Sequence, residues 1–307
     1  MFDDIDPRWT DDPHDTHDIY DPRWDDDPRD RDEDRREPER DRDPRDAFLD
    51  GLDLPRGLER ELVQDERERT YEINGEDSRT LATVGAFRVV SERDLREESH
   101  DPRSDDDLRH LRDEGLIRTV SLDGNERALV LTNRARGLLD AHRRGRDDER
   151  RQAFHAGVSR PRELTHDASL YRAYLRAEER LREQGAEIRR VVLEHDLKRD
   201  YQCFLQEHNR DRPDSDGRPD RDAREVERWA FEHDLPYFDD YVHFPDFRIE
   251  YELEGRDRHE DIEVLTEHYR GAHAATRAQT GFTCYRTGRS GGGGGRSCDP
   301  RLAEEFL

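Results

Sequence analysis

Asp246, Asp261 and Glu263 are the residues whose types and spacing could do chemistry. They fall within "PDFRIEYELEGRDRHEDIEVL", residues 245–265. Pro245-Asp246 heads one strand-like run, and "HEDIEVL" lies in a second. Side chains alternate along a strand, so Asp261 and Glu263 share one face. Carboxylates converging from neighbouring strands can hold Mg²⁺. The ion lowers the pKa of a bound water and stabilises charge on a phosphate. A lysine two residues past the second acid normally adds a cation near the attacking water. If Glu263 is the second acid, Leu265 stands in the lysine position and the cation is lost. If Asp261 is the second acid, Glu263 takes that position, giving a D-x-E variant that could still hold metal. The pattern leaves both open. Lys198 is the only lysine in the chain. It either reaches such a site from a neighbouring element as a displaced catalytic cation, or is a solvated side chain at a helix start.

The elements that must position these acids run from about residue 164. "HDASLYRAYLRAEERLREQG" spaces Leu170, Tyr174, Ala177 and Leu181 as one helical face. "AEIRRVVLE" reads as a strand, and "LKRDYQCFLQEHN" and "AREVERWAFEHD" as helices around a polar loop. "VHFPDFRIEYEL" and "HEDIEVLT" read as strands, "HYRGAHAATRAQTG" as a helix, and "FTCYR" as a last strand. With the additional helices set aside, the order is helix, three strands, helix, strand.

The first half has another rhythm. "RGLERELVQ" reads as a short helix and "RTYEI" as a strand ended by Asn74-Gly75. "SRTLATVGAFRVV" places Leu81, Val84 and Phe87 on one helical face behind a Ser78 cap. "SERDLRE", capped by Ser91, is a second helix. "DDDLRHLRDEGLI" is a third, stopped by Gly115. "IRTVSLDGNERALVLT" is a hairpin about Asp123-Gly124, and "NRARGLLDAHRR" a closing helix capped by Asn133.

This succession resembles the MarR-like winged helix-turn-helix regulators. "LRHLRDEGLI…LDGNERALVLTNRARGLLDAH" is similar to their recognition helix, wing and closing helix. The second half resembles the PD-(D/E)xK nuclease-like fold. The pairing of the two, with "LTHDASLYRAYLRAEERL" between them, resembles the replication-relaxation family of plasmid and mobile-element proteins. These resemblances imply an α+β chain: a disordered acidic arm (1–47), a winged-helix domain (48–149), a linker (150–163), a nuclease-like α/β domain (164–289) and a flexible Gly-rich tail (290–307). They imply duplex DNA as partner, relaxase or replication proteins beside it, and a homodimer. Arg103, Arg109 and Arg112 on the third helix and Arg127 at the wing would contact DNA. Asp105, Asp106 and Asp107 at the start of that helix would face phosphates badly.

Composition bounds these expectations. Charged residues make up 43% and apolar residues 30%, and the net charge is −25. Residues 1–46 hold 20 acids against 9 arginines, repeat "DPRW" and "DPRD", and lack the apolar content to offset ordering entropy. An acidic chain is a poor generic nucleic-acid binder, so DNA contact requires a local arginine surface. Residues 78–144 are formally neutral, with 13 arginines and 13 acids. Cys203, Cys284 and Cys298 fit no zinc spacing, and an odd count argues against a disulfide scaffold. His243, His259, His268 and His273 form no H-E-x-x-H motif, and His14 and His17 lie in the arm. No P-loop occurs. No apolar run approaches the ~20 residues of a membrane span, so a cytoplasmic protein without membrane contact is expected. The function these features favour is a DNA-associated accessory or regulatory protein of replication or mobilisation with a weak or silent nuclease-like domain. Two alternatives stay open: an active Mg²⁺-dependent endonuclease using Asp246, Asp261, Glu263 and Lys198, and a protein-binding adaptor.

Overall fold

The computed structural model describes residues 43–98, 104–122, 126–144, 151–158, 161–209, 221–265, 279–286 and 296–297. The arm up to residue 42, Arg103, the Asp123-Gly124 turn, His268, His273, Cys298 and nearly all of the expected helix after Thr266 lie outside the described residues, as does most of the tail. What is described is a mixed α+β unit. Residues 43–47, expected in the arm, are folded. Arg45 is 2% exposed and is held by Asp43 (2.6 Å) and Glu76 (2.5 Å).

The first helix, α1 (Gly75–Phe87), begins with a capping box: the Asn74 side chain accepts from the Asp77 N–H, and Asp77 accepts from the Asn74 N–H. Asn74, not Ser78, is therefore the cap. Its side chain can satisfy an orphan amide one turn earlier, and the Ser78 hydroxyl donates back to the Asn74 carbonyl instead. Gly75 is required by contact. An added Cβ would lie 2.3 Å from the Arg56 carbonyl oxygen. The segment "RGLERELVQ" also departs from expectation. Leu58 and Leu62 are spaced like a helical face, yet both are exposed. Residues Glu61–Gln64 form strand β1, which pairs with β2 (Thr70–Ile73), Val63 opposite Tyr71. The two-residue period that buries Val63 outweighs the i, i+4 leucines.

After α1 come β3 (Val90–Ser91), α2 (Glu92–Glu98), α3 (Ser104–Asp113), β4 (Ile117–Ser121), β5 (Arg127–Leu131) and α4 (Asn133–Ala141). The strands form one antiparallel sheet in the order β3-β5-β4. Helix α3 ends where Gly115 adopts φ +70, letting the Leu116 N–H reach the Leu111 carbonyl. The cap of α4 is Thr132, one residue before the expected Asn133. Its hydroxyl accepts from the Ala135 N–H.

The second half contains α5 (Leu164–Glu183), β6 (Glu187–Leu193), α6 (Glu194–Gln206), α7 (Ala223–Glu232), β7 (Tyr237–Phe238), β8 (Tyr241–Val242), β9 (Phe247–Leu253), β10 (Arg256–Leu265), β11 (Thr283–Arg286) and β12 (Arg296–Ser297). Five strands form a mixed sheet in the order β12-β11-β10-β9-β6. β10 and β11 are parallel and the other neighbours antiparallel. "VHFPDFRIEYEL" is therefore not one strand. Pro245 has no N–H for a ladder and separates the β7–β8 hairpin from β9. Of the cysteines, Cys203 is a free exposed thiol, while Cys284 is disulfide-bonded, which corrects the cysteine expectation at that position.

One core crosses the segment read as a linker. Phe87 of α1 meets Phe48 (5.6 Å between ring centres), Tyr171 and Tyr174 of α5 (both 5.2 Å) and Phe247 of β9 (6.1 Å). Burying each such ring contributes ~1.5–3 kcal/mol. Arg172 of α5 grips buried Asp94 of α2 through both carboxylate oxygens (2.9 and 3.0 Å). Among the described residues, no helix is long and apolar enough to cross a membrane.

Candidate active site

Asp246 lies immediately before β9, where its carbonyl accepts the Glu194 N–H at the start of α6 (2.9 Å). Its carboxylate Oδ2 takes two donors: the Val264 N–H of β10 at 2.7 Å and His166 Nε2 at 3.2 Å. His166 stands in the first turn of α5, a poor place for a cation beside the helix dipole. Burial also opposes its charge. The carboxylates of Asp167 and Asp246 outweigh both effects, raising the imidazolium pKa to about 10. As an imidazolium it donates from Nε2 to Asp246 and sets Nδ1 3.8 Å from the Asp167 carboxylate. The neighbourhood of Asp246 is thus an ion-paired lock between α5, β9 and β10.

Asp261 sits opposite Arg248 in the β9–β10 register. The pair is bidentate, at 2.6 and 2.9 Å, and nearly buried, with the two side chains 8% and 10% exposed. Arg248 also donates to the His233 and Asp234 carbonyls at 2.8 and 3.0 Å. It thereby satisfies free carbonyls after α7 and closes the acid at once. Glu263, 3% exposed, follows on the same strand face.

The residues present do not fit a magnesium ion. Mg²⁺ needs oxygen ligands free to turn toward it. Both oxygens of Asp261 face Arg248, and Oδ2 of Asp246 is taken by two N–H donors. Among the described residues, no group of three or more His, Cys, Asp or Glu side chains is arranged to hold a metal ion. Lys198 is not aimed at the acids. Its Nζ pairs with Glu194 one turn back (2.5 Å), half-exposed, and lies 5.9 Å from the Phe244 ring centre.

The expected DNA-facing arginines divide. Arg109 is 70% exposed and pairs with Asp106, itself exposed (3.0 Å). Arg112 and Arg127 are turned toward Glu92, a buried carboxylate. Arg112 Nη2 reaches Oε1 at 2.5 Å, and Arg127 Nη2 lies 3.3 Å from Oε2. Arg112 also donates to the Thr119 hydroxyl at 2.9 Å. These two hold the start of α2 against the hairpin. Asp107 is not turned to solvent either, being bound by Arg60 at 2.9 Å.

The sequence reading missed His166 and Arg248. His166 is 80 positions from Asp246, so no local pattern connects them. Arg248 had a local sign: it follows Asp246 at the strand period, in "PDFR". Comparison with known proteins gives no match: no family model, no curated protein and no solved structure matches this chain.

Proposed function

We propose that the protein is a DNA-associated accessory or regulatory factor that binds duplex DNA through its first half and does not cleave it. The observation that carries this reading is the order α1, β3, α2, α3, β4, β5, whose strands pair as β3-β5-β4, with Arg109 of α3 left at the surface. We read that order as resembling a winged helix, a motif whose third helix enters the major groove. The layout of the whole is like that of the replication-relaxation family, which points to replication or mobilisation of an element as its setting. The second half serves as scaffold: its Asp261 is neutralised by Arg248, and among the described residues the cation paired with Asp246 is His166, which locks it.

Binding should be weak on arbitrary sequence, in the non-specific range of ~10⁻⁴ to 10⁻⁶ M, and should fall as salt rises. Fluorescence anisotropy with Arg109→Ala tests it. The substitution should weaken binding while leaving the melting temperature unchanged, because its pair with Asp106 is exposed on both sides. Arg112→Ala, in contrast, should lower stability by about 1–3 kcal/mol, because Glu92 loses a charged hydrogen bond. Binding indifferent to salt and to Arg109→Ala would replace this reading with that of a protein-binding adaptor. Plasmid nicking with Mg²⁺ that is lost in Asp246→Ala would replace it with that of an endonuclease.

A further inference from the structure

A cleft of about 660 Å³ opens between the Phe48 segment, the end of α4, the connector at Arg151–Phe154 and strands β6, β9 and β10. Seven arginines and four carboxylates line it, a formal excess of three positive charges. The chain as a whole carries −25. Part of the lining is self-neutralised. Arg190 grips Glu250 at 2.7 and 2.9 Å, and Arg189 meets Glu252 at 2.5 Å.

Arg151 is different. Its Nε and Nη2 are buried and have no hydrogen-bond partner. Its neighbours hold its backbone in place. The Gln152 side-chain amide binds the Val191 backbone in both directions, donating to the carbonyl at 3.0 Å and accepting the N–H at 2.9 Å. Arg143 donates to the Gln152 carbonyl at 2.7 Å while stacking 4.9 Å over Phe154. The connector is thus pinned to β6, and Arg151 lines the cleft with its Nε and Nη2 buried and without an acceptor. A guanidinium has five donors and cannot shed its charge. Burying part of it unpaired is costly, and turning that edge toward an acceptor in the cleft would recover the cost.

We propose that this cleft binds a phosphate-bearing ligand of nucleotide size, with Arg151 donating to phosphate oxygens. Arg258, an exposed residue of β10, and Arg144, more than half exposed and only 3.5 Å-paired to Asp53, supply further charge at the rim. The volume lies within the range of small-ligand pockets. A planar, fork-shaped donor matches phosphate oxygens bidentately. Arg248 and Arg143 are already paired, with Asp261 and with Asp140 (2.8 Å), so Arg151, Arg258 and the loosely held Arg144 are the cations that would meet the anion. The proposal is independent of DNA binding by the first half.

Isothermal titration of the full chain at low salt tests it, using adenosine triphosphate, inorganic triphosphate, adenosine, citrate and a short single-stranded oligonucleotide. Both triphosphates should bind, and adenosine should not. Arg151→Gln should weaken triphosphate binding about tenfold, the worth of one charged hydrogen bond. Arg258→Gln, at an exposed position that cannot threaten folding, should weaken it less. Arg109→Ala should leave it unchanged, separating this site from the DNA surface. The proposal is overturned if neither triphosphate binds, if both arginine variants bind like the parent, if citrate binds as tightly as triphosphate, or if only the oligonucleotide binds.

Discussion

Around Asp246 the charged groups meet counter-charges: His166 between two carboxylates, Asp261 in the fork of Arg248. In the cleft beside Phe48, Arg151 meets none. The two regions share strands β9 and β10 and use the same residue types. A cluster of acids at a strand end looks reactive in a sequence, but Arg248 and His166 turn this one into joinery. A run of arginines in a connector looks like solvated filler, but packing against β6 leaves one of them buried and unsatisfied. In a chain so rich in both charges, a telling residue is one that is buried and left over after pairing.

Stability measurements can break this contrast most directly. Arg248→Ala should cost about 3–5 kcal/mol, since it strands Asp261 as a buried, unpaired charge. Arg151→Ala should cost close to nothing, because no hydrogen bond is lost. Urea denaturation midpoints of the two variants decide this, and equal losses would erase the distinction.

A smaller effect should appear with pH. The His166 pKa is raised from an ordinary 6.5 to about 10. The folded state therefore binds that proton more tightly than the unfolded chain does. Its contribution is fully present below pH 6.5 and is lost as pH rises through about 10. Asp77, whose acid pKa burial raises to about 6, acts in the window below and does not overlap. Stability should decline between pH 6.5 and 10, and His166→Gln should flatten that decline. A variant with an undiminished slope would remove His166 from the lock.

The smallest expected effect is that of Lys198→Ala. Its pair with Glu194 is exposed on both sides, so the loss should stay below ~0.5 kcal/mol. A large loss of stability, or of any nicking activity, would return Lys198 to the role of a displaced catalytic cation.

Much of the order of elements was legible because apolar residues keep the helix period in α1 and α5 and the strand period in β2 and β10. The ends were less so. Asn74 and Ser78 are both capping residues four apart, and only the Asp77 carboxylate, by completing the box, selects the first. Leu58 and Leu62 mimicked a helical face because a sequence does not say which leucines stay in water. At the candidate site, the acids and their shared strand face were readable. Their partners were not. Arg248 pairs with Asp261 through the β9–β10 register, and the His166–Asp246 contact spans two elements. Arg151 was hidden in what read as a charged linker, since being unpaired is a property of three-dimensional surroundings alone.

Phe87 has a consequence for how such a chain can change over time. Its ring packs at once on Phe48, on Tyr171 and Tyr174, and on Phe247, so the same few aromatic surfaces close both halves. A fragment ending near residue 149 would present that face of α1 to water, and a separated second half would present α5 and β9. Neither half is a cassette that could be moved onto another protein with its surface intact. With only 30% apolar residues, the chain has one aromatic joint where two independent cores would need more apolar material. Any lineage that kept this joint would have to alter the two halves together, as a single heritable piece.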